Sequence, residues 1–156
     1  MIRPATADDA EEVLALIGEL AVFEQMEDEV VCTADDLQRA LFAPDPVARV
    51  SLVDEGGEVV GMALWFFTFS TFLGRRGIWL EELFVREPHR GRGHGRALLA
   101  HLRGLVDGRV EWAVLDWNRR AIDFYDALGA RPVEGWTTYR WLPDEAHRQP
   151  NPPLGR

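Results

Sequence analysis

The clearest structural signal lies in the middle of the chain, in the stretch Leu80-Glu81-Glu82-Leu83-Phe84-Val85-Arg86-Glu87-Pro88-His89-Arg90-Gly91-Arg92-Gly93-His94-Gly95-Arg96-Ala97-Leu98-Leu99. The apolar residues at its start are typical of a half-buried strand, and the leucines at its end recur at helical spacing. The glycines between them predict a tight loop that leads into a helix. A helix N-terminus carries unpaired N–H donors and the positive end of the helix dipole, and glycine lets an anion approach the main chain. The stretch therefore predicts a phosphate-binding loop, with arginines adding positive charge.

Composition indicates one soluble domain. The chain has 156 residues, of which 47% are hydrophobic and 28% are charged, and these are ordinary values for a globular protein. No apolar run reaches the roughly 20 residues that span a bilayer, so no membrane partner is expected. The single cysteine, Cys32, excludes an internal disulfide and fits a reducing cytoplasm. We expect a cytoplasmic protein with a domain at residues 1–145 and a proline-rich tail at residues 146–156.

The charge balance narrows the class of ligand. There are 26 acidic and 17 basic residues, which gives a net charge of −9. This argues against general nucleic-acid binding, which needs a broad basic surface, and it permits attraction of cationic substrates, since a negative field raises their local concentration. The alternative is that the excess acid only keeps the protein soluble. No metal is expected, because the histidines show no ligand spacing with each other or with Cys32: His89, His94, His101 and His147.

Periodicity and cap residues give the order of elements. Thr6 and Thr33 are predicted helix caps, Asn118 caps a fourth helix, and Gly129 ends it. The predicted strands cover residues 1–4, 47–53, 58–69, 77–85, 110–115, 130–133 and 136–142; the first helix covers residues 7–23. The order β-α-α-β-β-β-α-β-α-β-β predicts an α/β protein of the α+β type, with a mixed sheet covered by helices.

The motif Arg90-x-x-Gly93-x-Gly95 after a strand resembles the acetyl-CoA loop of GCN5-related N-acetyltransferases, the GNAT superfamily. Further matches resemble its diamine (spermidine/spermine) acetyltransferase subfamily: Ile2-Arg3-Pro4-Ala5-Thr6, Leu80-Glu81-Glu82-Leu83-Phe84-Val85, Trp117-Asn118, and Phe124-Tyr125 before Gly129-Ala130. The resemblance covers roughly residues 1–142. It implies the GNAT acyl-CoA N-acyltransferase fold, in which the fourth and fifth strands splay apart around the pantetheine arm. It also implies a homodimer.

The resemblance implies acetyl-CoA as the acetyl donor, without a metal. The edge of the strand at Leu83, Phe84 and Val85 would pair with the pantetheine amides as an added strand does. The pyrophosphate would lie on the backbone of the loop, which consists of Arg90, Gly91, Arg92, Gly93, His94, Gly95 and Arg96. Asn118 would contact the cofactor, cap its helix, or do both. The alternatives for the loop are a turn that binds nothing and an arginine-rich RNA contact.

Two residues receive catalytic roles from the same resemblance. Tyr125 is implied as the acid that protonates the coenzyme A thiolate and as a cofactor contact, although its spacing also fits a core aromatic residue. Glu81 is implied as the base that takes the ammonium proton through water. Its neighbour Glu82 should point to the opposite face of the strand unless a bulge breaks the alternation. The alternative for both glutamates is the solvated face of a strand.

The resemblance places six residues around the amine acceptor: Phe23, Glu24, Glu81, Glu82, Glu111 and Glu134. The family often has tyrosine, aspartate and histidine at the positions of Phe23, Glu82 and Glu111. These departures keep a cationic preference but leave the exact polyamine open, and some relatives prefer thialysine-like amino acids. We expect direct transfer in a ternary complex to a primary amine of a polyamine, a diamine or a thialysine-like acceptor. The alternatives are an amino acid, a peptide N-terminus, an aminoglycoside, or a silent acyl-CoA-binding regulator.

Overall fold

A five-stranded sheet in the order β1-β2-β3-β4-β5 forms the centre of the first of two units, Met1–Ala113. The second unit is Val114–Arg156, and the structure, a computed structural model, describes residues 1–141. Strands β1 to β4 run antiparallel, whereas β5 is parallel to β4. The strands are β1 (Ile2–Pro4), β2 (Arg49–Glu55), β3 (Glu58–Ser70), β4 (Arg75–Val85) and β5 (Val110–Trp112). The prediction of a mixed sheet with helices is confirmed.

Residues 1–141 contain four α-helices, and cap residues predicted from the sequence start the second and the fourth, whereas Thr6 caps a 3₁₀ turn that precedes the first. The Thr33 hydroxyl accepts a hydrogen bond from the Asp36 N–H, and the Asn118 side-chain oxygen accepts one from the Ala121 N–H. At the first helix, the Thr6 N–H donates to the Asp9 carboxylate, and a 3₁₀ turn precedes the α-helix. The helices are α1 (Ala10–Glu24), α2 (Ala34–Phe42) and α3 (His94–Gly104) in the first unit and α4 (Arg119–Ala127) in the second.

The core of the first unit lies between the sheet and its helices. On one face, α1 and α2 pack against β2, β3 and β4 through a cluster of buried apolar side chains: Val13, Leu16, Leu20, Leu37, Leu41, Val50, Leu52, Met62 and Phe84. Helix α3 contacts β3 and β4 and contributes the buried Leu98, Leu99 and Leu102. Burial of these side chains is the main favourable term for the unit. Within residues 1–141, every helix is too short or too polar to span a bilayer.

The predicted closing hairpin does not form within the described part of the second unit. Residues 130–141 contain no strand, so the prediction for 130–133 is wrong, and so is that for the described residues of 136–142. The physical reason is exposure, because the apolar side chains there bury no face: Val133, Trp136, Tyr139 and Trp141. Strand β5 also ends at Trp112, three residues before its predicted end. Leu142 and the predicted tail at residues 146–156 lie outside the described residues.

Candidate active site

A β-bulge on β4 changes the direction of the two adjacent glutamates. In the β3–β4 ladder, Leu64 lies opposite Glu82, but the next residue of β3, Trp65, lies opposite Leu80. Glu81 is therefore the extra residue of the bulge, without a partner of its own on β3. The sequence predicted opposite faces for Glu81 and Glu82 unless a bulge intervened, and the bulge is present at that position.

Both carboxylates lie on the face of the sheet that α1 covers. Residues opposite each other in a sheet share a face, so Glu82 shares the face of Leu64, and Trp79 shares that of Phe66. Leu64 and Phe66 are two residues apart on β3 and therefore point to the same side. The Trp79 indole N–H donates to a Glu81 carboxylate oxygen at 2.8 Å, which brings the Glu81 side chain to this side as well.

Helix α1 adds a third carboxylate, Glu24, at its C-terminal end. The helix is tied to the end of β4 by Arg86, whose guanidinium nitrogens lie 2.8 Å from a Glu12 carboxylate oxygen and 2.7 Å from one of Glu19. Burial raises the pKa of Glu24. Hereafter Glu24, Glu81 and Glu82 are called the acidic cluster.

The acidic cluster makes Glu82 an unusual carboxyl group. Burial, followed by the negative charges of Glu24 and Glu81, raises the pKa of Glu82 to about 7. At neutral pH this group can both accept and release a proton, which is the property that a general base needs. A cation bound beside it would favour its charged form. The arrangement therefore suits the binding of an ammonium group and the removal of its proton.

Arg90 joins the acidic cluster to the glycine loop. Its guanidinium carbon lies 5.0 Å from the centre of the Phe23 ring, next to Glu24, and 5.5 Å from that of Phe84. Its Nε donates to the Val85 carbonyl at 2.8 Å. Cation–π contacts of this kind stabilise a guanidinium against an aromatic face. The start of the loop is thereby fixed against the ends of α1 and β4.

The loop itself has the backbone geometry that the sequence predicted. Gly91 and Gly93 have φ angles of 78° and 87°, in the left-handed region that favours glycine. Gly93 is the cap of α3, which begins at His94. The first N–H groups of α3 lack partners within the helix, and Arg92 and Arg96 are exposed beside them. This combination fits a pyrophosphate group.

The strand edge predicted for pantetheine lies beyond the end of β5. Strands β4 and β5 pair only from Ile78 opposite Val110 to Leu80 opposite Trp112. Residues 81–85 of β4 continue past this point, and across residues 1–141 no strand pairs with that edge. Such an edge offers backbone groups to an extended chain of amides. The pairing between β4 and β5 ends just before Glu81, the residue of the bulge.

The other residues predicted for the site lie on β5 and in the second unit. Glu111 lies opposite Trp79 in the β4–β5 ladder, and its carboxylate oxygen is 3.1 Å from Arg109 Nε. Glu134 lies in an exposed turn of the second unit. In the same unit Tyr125 is half-buried on α4, with its ring centre 5.3 Å from that of Phe124, and Asn118 caps that helix.

Sequence reasoning missed the structural role of Trp79. The signal was present, because Trp79 stands two residues before Glu81 on a strand, and side chains two apart normally share a face. It also missed the aromatic contacts of Arg90, which depend on how α1 packs and have no local signature. Among the described residues, no group of three or more histidine, cysteine, aspartate or glutamate side chains is arranged to hold a metal.

Comparison with known proteins shows the family to which the chain belongs. Residues 14–130 match the Acetyltransferase (GNAT) family. The chain belongs to the GNAT family. A thialysine N-epsilon-acetyltransferase of Bos taurus is 34% identical over 156 residues, covering 90% of this chain and 91% of that protein. Spermidine/spermine N(1)-acetyltransferase-like protein 1 of Homo sapiens is 31% identical, covering 92% of this chain and 23% of that protein. These findings confirm the resemblance to diamine acetyltransferases.

The GNAT fold is confirmed by a solved structure. The integron cassette protein VCH_CASS6 from V. cholerae superposes with a TM-score of 0.76 at 22% identity, covering 92% of this chain and 93% of that one. At this identity the likeness concerns the fold alone. The family match and the thialysine N-epsilon-acetyltransferase relatives, not this structure, identify the protein as an acetyl-CoA-dependent N-acetyltransferase.

Proposed function

We propose that this GNAT enzyme acetylates a primary amine of a small cationic acceptor of the polyamine, diamine or thialysine type. The observation that carries the proposal is the acidic cluster, in which the bulge at Glu81 and the end of α1 bring three carboxylates together. Ionised carboxylates form strong hydrogen bonds with ammonium groups. The relatives whose names specify thialysine or spermidine and spermine support this class of acceptor.

In this proposal, Glu81 and Glu82 of the acidic cluster take the proton of the amine, and Glu24 contacts the rest of the acceptor. An ammonium must lose a proton before its nitrogen can attack the thioester carbonyl. We assign this deprotonation to Glu81, acting through water, with Glu82 as a second proton acceptor because its pKa is raised to about 7. Glu24 and Phe23 contact the rest of the acceptor, and Glu111 and Glu134 bind its distal charge.

The glycine loop and the free edge of β4 hold the donor in this proposal. The pyrophosphate lies on the N–H groups of residues 90–96, and the pantetheine arm pairs with residues 83–85. Tyr125 protonates the thiolate that leaves when the carbon–sulfur bond breaks, and Asn118 contacts the cofactor. The amine attacks directly while both substrates are bound, so no acetyl group is carried on the protein.

The assembly and location of the enzyme are also part of the proposal. We expect a homodimer, with a domain at residues 1–145, working in the cytoplasm. The exposed aromatic side chains of Trp136, Tyr139 and Trp141 are suited to burial in such an interface. Neither nucleic acid nor a membrane is an expected partner.

The test is release of thiol from acetyl-CoA by the purified protein with spermidine, putrescine, thialysine and lysine. A peptide with a free N-terminus and an aminoglycoside represent the alternative acceptors. We expect turnover with at least one of the first four amines, and a strong loss in Glu24→Gln but not in Glu27→Gln, which is exposed nearby. Turnover with only the peptide or the aminoglycoside would contradict the proposed acceptor. Binding of acetyl-CoA without turnover on any amine would favour a silent regulator.

A further inference from the structure

One carboxylate outside the acidic cluster contacts three basic side chains near the glycine loop. Glu55 is the last residue of β2 and lies at the turn into β3. Its Oε2 atom lies 2.8 Å from His89 Nδ1 and 3.1 Å from Arg92 Nη1, and its Oε1 atom lies 3.7 Å from His94 Nε2. The hydrogen bond with His89, followed by the charge of Arg92, lowers the pKa of Glu55. The group is therefore a carboxylate at neutral pH.

These contacts reach the loop from a distant part of the sequence. Within the loop region, Arg90 is fixed to Val85, and Arg92 donates to the Pro88 carbonyl at 3.2 Å. Both of those bonds are local. Glu55 is 34 residues away from His89 and 37 residues away from Arg92, so it ties the loop to the β2–β3 turn. Gly91 lies between His89 and Arg92, Gly93 lies between Arg92 and His94, and both glycines lose much conformational freedom when they are held.

We propose that Glu55 is a positioning residue for the coenzyme, because its carboxylate holds residues 89–94 in the conformation that presents the first N–H groups of α3 to the pyrophosphate. The inference rests on the proposed role of the glycine loop. A loop that is already ordered costs less conformational entropy when its ligand binds. Glu55 also accepts a hydrogen bond from Arg92 and lies 3.7 Å from the His94 Nε2, which is buried without a hydrogen-bond partner. Arg92 offsets the negative charge of Glu55 locally, which limits repulsion of the phosphates.

The experiment measures the affinity for coenzyme A by calorimetry, together with steady-state kinetics, for the wild type and Glu55→Gln. We expect the Kd for coenzyme A and the KM for acetyl-CoA to rise about three- to tenfold, the scale of a small ion-pair network. The kcat and the KM for the amine should stay within about twofold. Glu58→Gln is the matched control, because Glu58 is on the same turn but its carboxylate lies 3.9 Å from His89. Its coenzyme affinity should match that of the wild type.

A truncated donor separates positioning of the pyrophosphate from general damage. S-acetylpantetheine lacks the pyrophosphate, so Glu55→Gln should use it as well as the wild type does. His89→Ala removes the nearest partner of Glu55 and should weaken coenzyme binding similarly, and the double variant should be less affected than the sum of the two. His89→Ala also serves as the test variant should Glu55→Gln fail to fold.

Three results would overturn the inference. They are unchanged coenzyme affinity in Glu55→Gln, tighter binding in that variant, or an equal loss with S-acetylpantetheine. Tighter binding would mean that the carboxylate repels the phosphates rather than ordering the loop. Failure of the proposed role of the glycine loop has a different signature, because the wild-type protein itself would then not bind coenzyme A. Failure of the proposed acceptor would leave coenzyme binding, and its dependence on Glu55, unchanged.

Discussion

The indole N–H of Trp79 donates a 2.8 Å hydrogen bond to the carboxylate of Glu81, two residues further along β4. This bond crosses the start of the bulge and directs Glu81 to the same face of the sheet as Glu82. Without the bulge, regular pleating would separate the two carboxylates. A local irregularity of one strand therefore assembles the acidic cluster with Glu24 of α1.

Replacement of Trp79 by phenylalanine should weaken catalysis while leaving the coenzyme site intact. Trp79→Phe keeps the aromatic bulk but removes the donor, so the Glu81 carboxylate loses its fixed orientation. We expect kcat to fall about fivefold, which corresponds to the loss of one hydrogen bond of about 1 kcal/mol. The Kd for coenzyme A, measured by calorimetry, should not change.

A matched control for this variant is Trp65→Phe. The Trp65 indole also makes a hydrogen bond from the sheet, to the hydroxyl of the buried Ser51, but it lies outside the acidic cluster. This control should lower the free energy of unfolding by about 1 kcal/mol without the loss of kcat. An equal loss of kcat in both variants would show that the bond between Trp79 and Glu81 has no specific role.

The pH profile of turnover should carry the signature of Glu82. Because its pKa is raised to about 7, the group becomes charged as pH rises through neutrality. The wild-type kcat/KM for the amine should therefore rise with an apparent pKa of about 7, the value of the free enzyme. The corresponding rise in kcat should lie at a lower pH, since a bound cation favours the carboxylate. In Glu82→Gln this rise of kcat/KM with pH should disappear, and kcat/KM should fall about 10²-fold. If Glu82→Gln keeps the same rise of kcat/KM with pH, Glu82 is excluded as a proton acceptor.

Turnover should rise with pH because of Glu82, whereas the free energy of unfolding should fall with pH because of the same group. The folded-state pKa of about 7 lies above the ordinary value of 4.5, so the folded protein binds more protons between these two pH values. The free energy of unfolding therefore falls as pH rises from about 4.5 to 7, by up to about 3 kcal/mol from this group.

The variant Glu82→Gln lacks this penalty. At pH 8 it should be more stable than the wild type towards urea, whereas at pH 4 the two proteins should be alike. Glu58→Gln, at an exposed position, is the control and should show no such pH-dependent gain. A lower stability of Glu82→Gln at pH 8 would contradict the raised pKa of Glu82.

Removal of the Tyr125 hydroxyl tests the proposed acid. Tyr125→Phe keeps the half-buried ring on α4, so helix packing and coenzyme affinity should persist. We expect kcat to fall about 10²-fold, the usual scale for a lost general acid. Tyr139→Phe is the natural control, because Tyr139 is 91% exposed and is the only other tyrosine in the chain. Unchanged turnover in Tyr125→Phe would remove Tyr125 from the catalytic residues.

Local features of the fold were predictable because their causes are local. Thr33 and Asn118 cap helices through bonds to residues three positions ahead, and Gly93 takes the positive φ that only glycine adopts easily. The mixed sheet followed from the order of the elements. The predicted hairpin of residues 130–142 was wrong over the described residues, because alternation of apolar residues does not supply a surface on which to bury them.

The geometry of the site was less predictable because it depends on packing between distant segments. The bulge at Glu81 is fixed by the register between β3 and β4, and the position of Glu24 is fixed by the packing of α1 against the sheet. Neither has a signature within a few residues. The roles of Tyr125 and Glu134 came from family resemblance and stay predictions.

The central claim is that the acidic cluster selects a cationic primary amine, and one ratio tests it most directly. The ratio compares kcat/KM for putrescine with kcat/KM for 4-amino-1-butanol, which keeps one primary amine and replaces the second with a neutral hydroxyl. We predict that the wild type prefers putrescine by at least about tenfold, and that Glu24→Gln loses most of this preference. Equal use of the two acceptors by the wild type, or a preference that Glu24→Gln retains in full, would contradict the claim.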